Sequence, residues 1–172
     1  MDNDKFDNKK KDGQLLCAEG ERLLREAKIH EFNLWRMENL VMRPNISGKN
    51  FSGHNLSGAY LNGVNCKGAN LSYCDLAKTN LVQADLSGAN LEGANLKEAL
   101  LMYCEMKECN LANADLTKAN LMWANLQGSN LTGCIVSKTI FVEANLTNAK
   151  TENVDKSLVY LKYAKLQGTS WK

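Results

Sequence analysis

The 172-residue sequence has one proline, two histidines and 7% aromatic side chains, and each scarcity removes a class of explanation. With only His30 and His54, imidazole chemistry has little to draw on, and no serine, cysteine or carboxylate has a recognisable base partner. No glycine-rich phosphate loop and no metal-ligand spacing appears. The expectation is therefore a chain that is not an enzyme, with no cofactor, no metal and no small-molecule substrate. No apolar window is long enough to span a bilayer, and the opening MDNDKFDNKKKDGQ lacks the apolar run of a signal peptide. A cytoplasmic location without membrane association is expected. The formal net charge is +2, and residues 1–44 carry 9 basic and 9 acidic side chains against 12 and 10 in the remainder. No strong field gathers a charged partner. Lysines and acids alternate instead of forming the basic stripe that nucleic acid requires.

What the sequence has in abundance is order. From Leu81 to Leu96 it reads LVQADLSGANLEGANL, with leucine at 81, 86, 91 and 96. A period of five fits neither an amphipathic helix nor a simple alternating strand. Extended both ways, the period makes residues whose numbers end in 1 or 6 apolar almost without exception from Ile46 to Leu146. Taking these as position i, position i−2 is small or apolar, position i−1 is mostly Asn or Asp, and every glycine after residue 44 stands at i+2. Two residues of every five are expected inside, and a bend at i+2 that favours positive φ accounts for the glycines. Cys66 falls at i, and Cys74, Cys104, Cys109 and Cys134 fall at i−2, where they replace Leu or Ala. They are expected as small buried residues, with Cys17 also a packing residue, and not as a disulfide framework or metal site.

Three segments follow in order. Residues 1–12 are charged and polar and are expected to form a disordered tail. Residues 13–43 change to helical spacing, with Leu16, Leu23, Ala27 and Leu34 near one face and Leu24, Phe32 and Trp35 beside it. Gly20 weakens its first turns, and a break near His30 divides it into two helices. A stack of repeats has open ends, so this segment is expected to cap one of them. Pro44, the single proline, marks the start of the repeat, which occupies residues 44–172 and runs without insertion or deletion.

ADLSG at Ala84, ANLEG at Ala89, ANLKE at Ala94, ADLTK at Ala114 and ANLMW at Ala119 match A(D/N)LXX, and on these units the sequence resembles the pentapeptide repeat family. EFNLWRMEN followed by RPNISG is similar to the lead-in of bacterial members abundant in cyanobacteria. The resemblance implies an all-β solenoid, a right-handed quadrilateral β-helix with four pentads per coil, about six coils here, and i and i−2 inside. Residues twenty apart then stack at about 4.8 Å, giving a rod about 30 Å tall. Leu81, Leu101, Leu121, Phe141 and Leu161 form one interior column. Thr151 and Lys156 depart from the pattern at i, so the last coil is expected either to open or to bulge and turn Leu158 inward. Trp171 is placed to cover the final layer.

Sorted by face, the outward positions single out one wall. It shows Val82, Met102, Met122 and Val142 at i+1, then Tyr103, Trp123 and Tyr163 at i+2, and Tyr60, Leu100, Ile140 and Tyr160 at i−1. The ladder Lys78, Glu98, Lys118 and Lys138 reads as a solvated face. An apolar patch of this kind marks an interaction surface. The expected function is a non-catalytic scaffold or adaptor that binds a protein partner or a second copy of itself. One alternative is a purely structural solenoid whose N-terminal helices cover the wall. Another is mimicry of DNA: some members of the family bind DNA gyrase and protect it from quinolones. That role needs an acidic surface, which the near-neutral charge and unbroken register here disfavour.

Overall fold

The computed structural model describes residue 15 and residues 17–172; the expected disordered tail, residues 1–12, lies outside them. Parallel backbone bridges join residues twenty apart, from Asn45↔Asn65 to Asn145↔Lys165, with nearly one in every five residues. Each coil is therefore four-sided and one pentad long per side. Between coils the donors follow a fixed rule. Leu81 and Gln83 donate to Leu100 O (2.8 Å) and Met102 O (3.0 Å) of the next coil, and Asn80 donates to Ala59 O (3.0 Å) of the previous one.

Each corner is a tight turn, closed for example by Ala84 N–H to Leu81 O at 2.9 Å. Its second central residue, i+2, is left-handed in the regular turns: Gly58 at φ +72°, but also Lys118 and Trp123 at +59° and Glu108 at +56°. Glycine is free there, whereas an L side chain costs about 1–2 kcal/mol. The turn is held by its i−1 side chain, as where Asn120 Oδ1 accepts from Met122 N–H at 3.1 Å. This explains the Asn and Asp at i−1.

The interior is a set of leucine columns. Leu81, Leu101, Leu121 and Phe141 are fully buried, and the alanines and cysteines at i−2 fill the space beside them. Polar i−2 residues fit because their thiols and hydroxyls find carbonyls, most in the preceding coil, while Thr79 and Thr169 donate to Leu76 O and Leu166 O of their own turns. Cys104 Sγ donates to Leu81 O at 2.8 Å, and Ser129 Oγ to Met106 O at 2.5 Å. The expected burial of Cys66, Cys74, Cys104, Cys109 and Cys134 is found, and Cys17 is half-buried. Burial pushes the Cys104, Cys109 and Cys134 thiols up to about 12.

Ahead of the coils stand two helices, α1 over residues 17–25 and α2 over Ile29–Glu38. Leu23, Leu24, Phe32 and Trp35 are buried as expected. The expected break into two helices lies at residues 26–28, around left-handed Ala27 (φ +51°) and just ahead of His30. One detail differs. Leu34 is 48% exposed, because the turn at 27 resets the helical phase and separates it from the Leu23 face. Gly20, expected only to weaken α1, allows α1 to approach the Trp35 ring: a Cβ there would stand 2.6 Å from its Cη2.

The helices meet the first coil on the edge that no earlier coil covers. Asn33 replaces a missing strand, its Nδ2 donating to Gly58 O (3.0 Å) and its Oδ1 accepting from Tyr60 N–H (2.8 Å). Arg36, 4% exposed, forks to Tyr60 O (3.2 Å) and Asn62 O (3.0 Å) and also donates to Met42 O. Burial draws its guanidinium below the usual arginine range, with the Arg43 charge adding to the effect. Arg25 reaches Asn50 O at 3.4 Å, and its guanidinium lies 4.7 Å over the Phe51 ring.

At the other end the coil departs from register in a way the sequence only partly indicates. Lys156 begins a short 3-10 turn, Lys156–Leu158, and both residues are exposed, so neither points into the core. Of the two expected outcomes, an opened coil or a bulge that turns Leu158 inward, the second is not found: Leu158 is 49% exposed, and Val154 and Val159 pack against the core. The slip is one residue, since Lys138 N–H donates to Leu158 O, and pairing resumes at Thr139↔Val159. Thr151 stays buried at i by pairing its hydroxyl with Ser170 Oγ at 2.7 Å. Trp171 covers the last layer, 3% exposed, edge-on to Phe141 with centroids 5.8 Å apart. Its Nε1 donates to Val154 O at 3.0 Å.

Candidate functional site

The twenty-residue register places the expected wall on one side of the rod. Its central column, at i−1, holds Tyr60, Leu100, Ile140 and Tyr160, interrupted by Asn80 and Asn120. Beside it run Val82, Met102, Met122 and Val142, all partly exposed. Tyr103 and Trp123 stand at the adjoining corner and stack, with ring centroids 4.8 Å apart and planes 9° from parallel. This separation is the coil spacing itself, because left-handed residues in successive turns aim their side chains along one direction. Tyr163 continues the corner, with Lys162 Nζ 4.9 Å from its ring centroid.

The wall is open to solvent. Tyr103 is 51% exposed and Trp123 41%, and α1 and α2 lie against the first coil instead of over them. Displaying these side chains has a backbone cost. Where i−1 is Asn, as at Asn80, its side chain accepts from Val82 N–H. Where it is Leu100 or Ile140, that acceptor is lost to Met102 N–H and Val142 N–H, a hydrogen bond worth about 1 kcal/mol.

One feature of the wall escapes a face-by-face sorting. The ladder Lys78, Glu98, Lys118 and Lys138 was expected on a neighbouring solvated face. Each member sits at i+2, the corner residue immediately before the wall's pentad begins, so the ladder is the wall's other edge. The signal was present in the spacing: each charge precedes its central-column residue by two positions. Lys118 Nζ lies 3.8 Å from Glu98 Oε1 along this edge. A second apolar surface, Leu34, Met37, Leu40 and Val41 at and after α2, is exposed as well; alternation with polar residues on a short helix left no clear stripe to find it by.

Catalytic apparatus is not assembled among the described residues. His30 is exposed, and His54 lies edge-on to Phe51 at 5.4 Å. No group of three metal-ligating side chains is brought together among the described residues, and no helix described is long and apolar enough to cross a membrane.

A family model described as pentapeptide repeats matches the chain in eight copies, over residues 45–76, 65–102 and 104–141. Solved structures similar to it include a pentapeptide repeat protein, Rfr23, from the cyanobacterium Cyanothece 51142, at 31% identity over 80% of this chain and 91% of that one, with a TM-score of 0.17. Another is alr5209 from Nostoc Pcc 7120, at 30% identity over 73% and 91%, TM-score 0.27. A third is HetL, from Nostoc sp. strain PCC 7120, involved in heterocyst differentiation regulation, at 26% identity over 74% and 68%, TM-score 0.48. No curated protein matches the chain.

Proposed function

We propose that this chain, which belongs to the pentapeptide repeat family, is a non-catalytic scaffold or regulatory adaptor that docks protein on its apolar wall. The observation that carries the reading is the solvent-exposed Tyr103–Trp123 stack, since exposed aromatic clusters supply the anchors of protein interfaces. In the same reading the coil is right-handed, α1 and α2 act as the cap of the first coil, and the chain works in the cytoplasm. Asn33 and Arg36, which occupy its otherwise open backbone edge, support the capping role. A solenoid whose N-terminal helices hide the wall is less well supported, because α1 and α2 bond to the first coil's edge.

The test is a capture experiment from bacterial lysate with the wild type and with a variant carrying Met102→Gln and Trp123→Gln. Proteins retained by the wild type and lost with the variant support the wall as the docking site. Equal retention by the two overturns it. DNA-gyrase regulation remains the second reading on family grounds alone. Added protein that leaves gyrase supercoiling unchanged at micromolar concentration removes it.

A further inference from the structure

Each level of the wall is a row that runs from one corner to the other. Lys138, Ile140, Val142 and Glu143 make one row; Lys118, Asn120, Met122 and Trp123 make the next; Glu98, Leu100, Met102 and Tyr103 the third. The two ends of a row are chemically matched. A lysine stands across from a carboxylate, a lysine across from an indole, and a carboxylate across from a phenol, and all six end residues are exposed. They are too far apart to meet within one chain, because the width of a pentad lies between them.

Resting on the reading of this wall as a docking surface, we propose that its occupant is a second copy of the chain, related by a two-fold axis parallel to the rod. Such an axis exchanges the two ends of every row at constant height. Lys138 of one copy then meets the Glu143 edge of the other, Lys118 meets the rim of the Trp123 ring, and Glu98 meets the Tyr103 hydroxyl, each twice by symmetry. The central column lies on the axis, so Leu100 faces Leu100 and Tyr160 faces Tyr160. The opposed arrangement, with antiparallel rods centred between Met102 and Met122, turns each edge onto itself. Glu98 then faces Lys118, but Lys78 faces Lys138 and Glu143 faces only Gln83. The parallel arrangement brings no like charges together, and on this difference charge complementarity selects it.

The full-length chain is tested by analytical ultracentrifugation up to about 100 µM, a range that detects even weak association. The wild type is expected to form a dimer. Lys138→Glu and Glu143→Lys, each alone, raise the dissociation constant about tenfold or more by replacing two attracting pairs with two repelling ones, and the double exchange restores it. Leu100→Cys and Tyr160→Cys, at exposed positions, are each expected to form a disulfide with themselves across the axis under mild oxidation, above the wild-type background. A dimer whose Tyr160→Cys variant does not cross-link, or that Lys138→Glu tightens, overturns the parallel arrangement. A wild type that stays monomeric overturns the second copy as occupant. The capture experiment still reads the wall separately in that case, so the two failures are distinguishable.

Discussion

Gly20 and Trp35 touch across the two helices so closely that a methyl group on Gly20 would lie 2.6 Å from Cη2 and 2.7 Å from Cζ3 of the ring. Alanine at this position gains about 1 kcal/mol of helix propensity but forces the indole out of its place. Overpacking of this kind costs about 1–3 kcal/mol. Gly20→Ala is therefore expected to lower stability, by urea denaturation followed by tryptophan fluorescence. A stability gain would show that the ring is free to move aside.

Arg36 is a buried cation whose described partners are carbonyl oxygens. Replacing it by methionine keeps much of its stem but removes the donors to Tyr60 O and Asn62 O, at about 1–3 kcal/mol for each group left unmet. Lysine cannot fork to two carbonyls in fixed geometry. Arg36→Met and Arg36→Lys are both expected to destabilise, with amide exchange accelerating first in the coil around Tyr60. Uniform loss along the rod would place the effect elsewhere.

The left-handed corners predict opposite signs for two exchanges. Glu108→Gly relieves a strained corner at φ +56°, and the gain is about 0.5–1 kcal/mol after the greater freedom of glycine in the unfolded chain is counted. Gly58→Ala has space for its methyl group, with nothing within 4 Å, but a φ of +72°. It is expected to cost about 1 kcal/mol. Thermal denaturation of the two variants beside the wild type reads both.

The buried thiols set an alkaline limit. Cys104, Cys109 and Cys134 are held up to about 12 in the folded chain, chiefly by burial, and lie near their ordinary value of about 8.5 when unfolded. The protonated form is the one the fold favours. Its contribution is complete below the unfolded value and is lost as pH rises from there towards 12, by about 1.4 kcal/mol per thiol per pH unit. Stability is expected to fall steeply above about pH 9, and Cys104→Ala should flatten the slope. At pH 8, a thiol reagent should modify half-buried Cys17 quickly and the other five only on unfolding.

The period of five separates inside from outside in every pentad, and the resemblance to pentapeptide repeats implies four pentads to a coil. Given both, the interior columns and the pairing of Tyr103 with Trp123 follow from counting by twenty. What counting cannot supply is the chemistry of the two ends. Arg36 is charged, and charge on a helix ordinarily means a solvated position; its burial follows from the edge carbonyls of Tyr60 and Asn62, which lie more than twenty residues away. Leu34 reads as part of one apolar stripe with Leu23, and the phase change at the Ala27 turn, which spacing alone does not give, takes it off that face. Lys156 at an i position announced a break, but whether Leu158, Val154 or Val159 would fill the gap depended on where a single residue of slack was absorbed. The wall was legible as a set of apolar columns, and its charged edge was missed because corner residues belong to two sides at once.

The pairing rule Leu81 to Leu100, repeated at every level, makes the upper surface of one coil the same as that of the next. A segment of twenty residues, such as 86–105, is thus a replaceable module: its removal would bring residue 106 to the place of 86 with every column and corner preserved. Loss of any number that is not a multiple of five would set leucines against solvent, and loss of five, ten or fifteen would rotate the wall out of line. Length in this molecule is quantised in whole coils, and the apolar wall, one side of each, lengthens or shortens with them in equal steps.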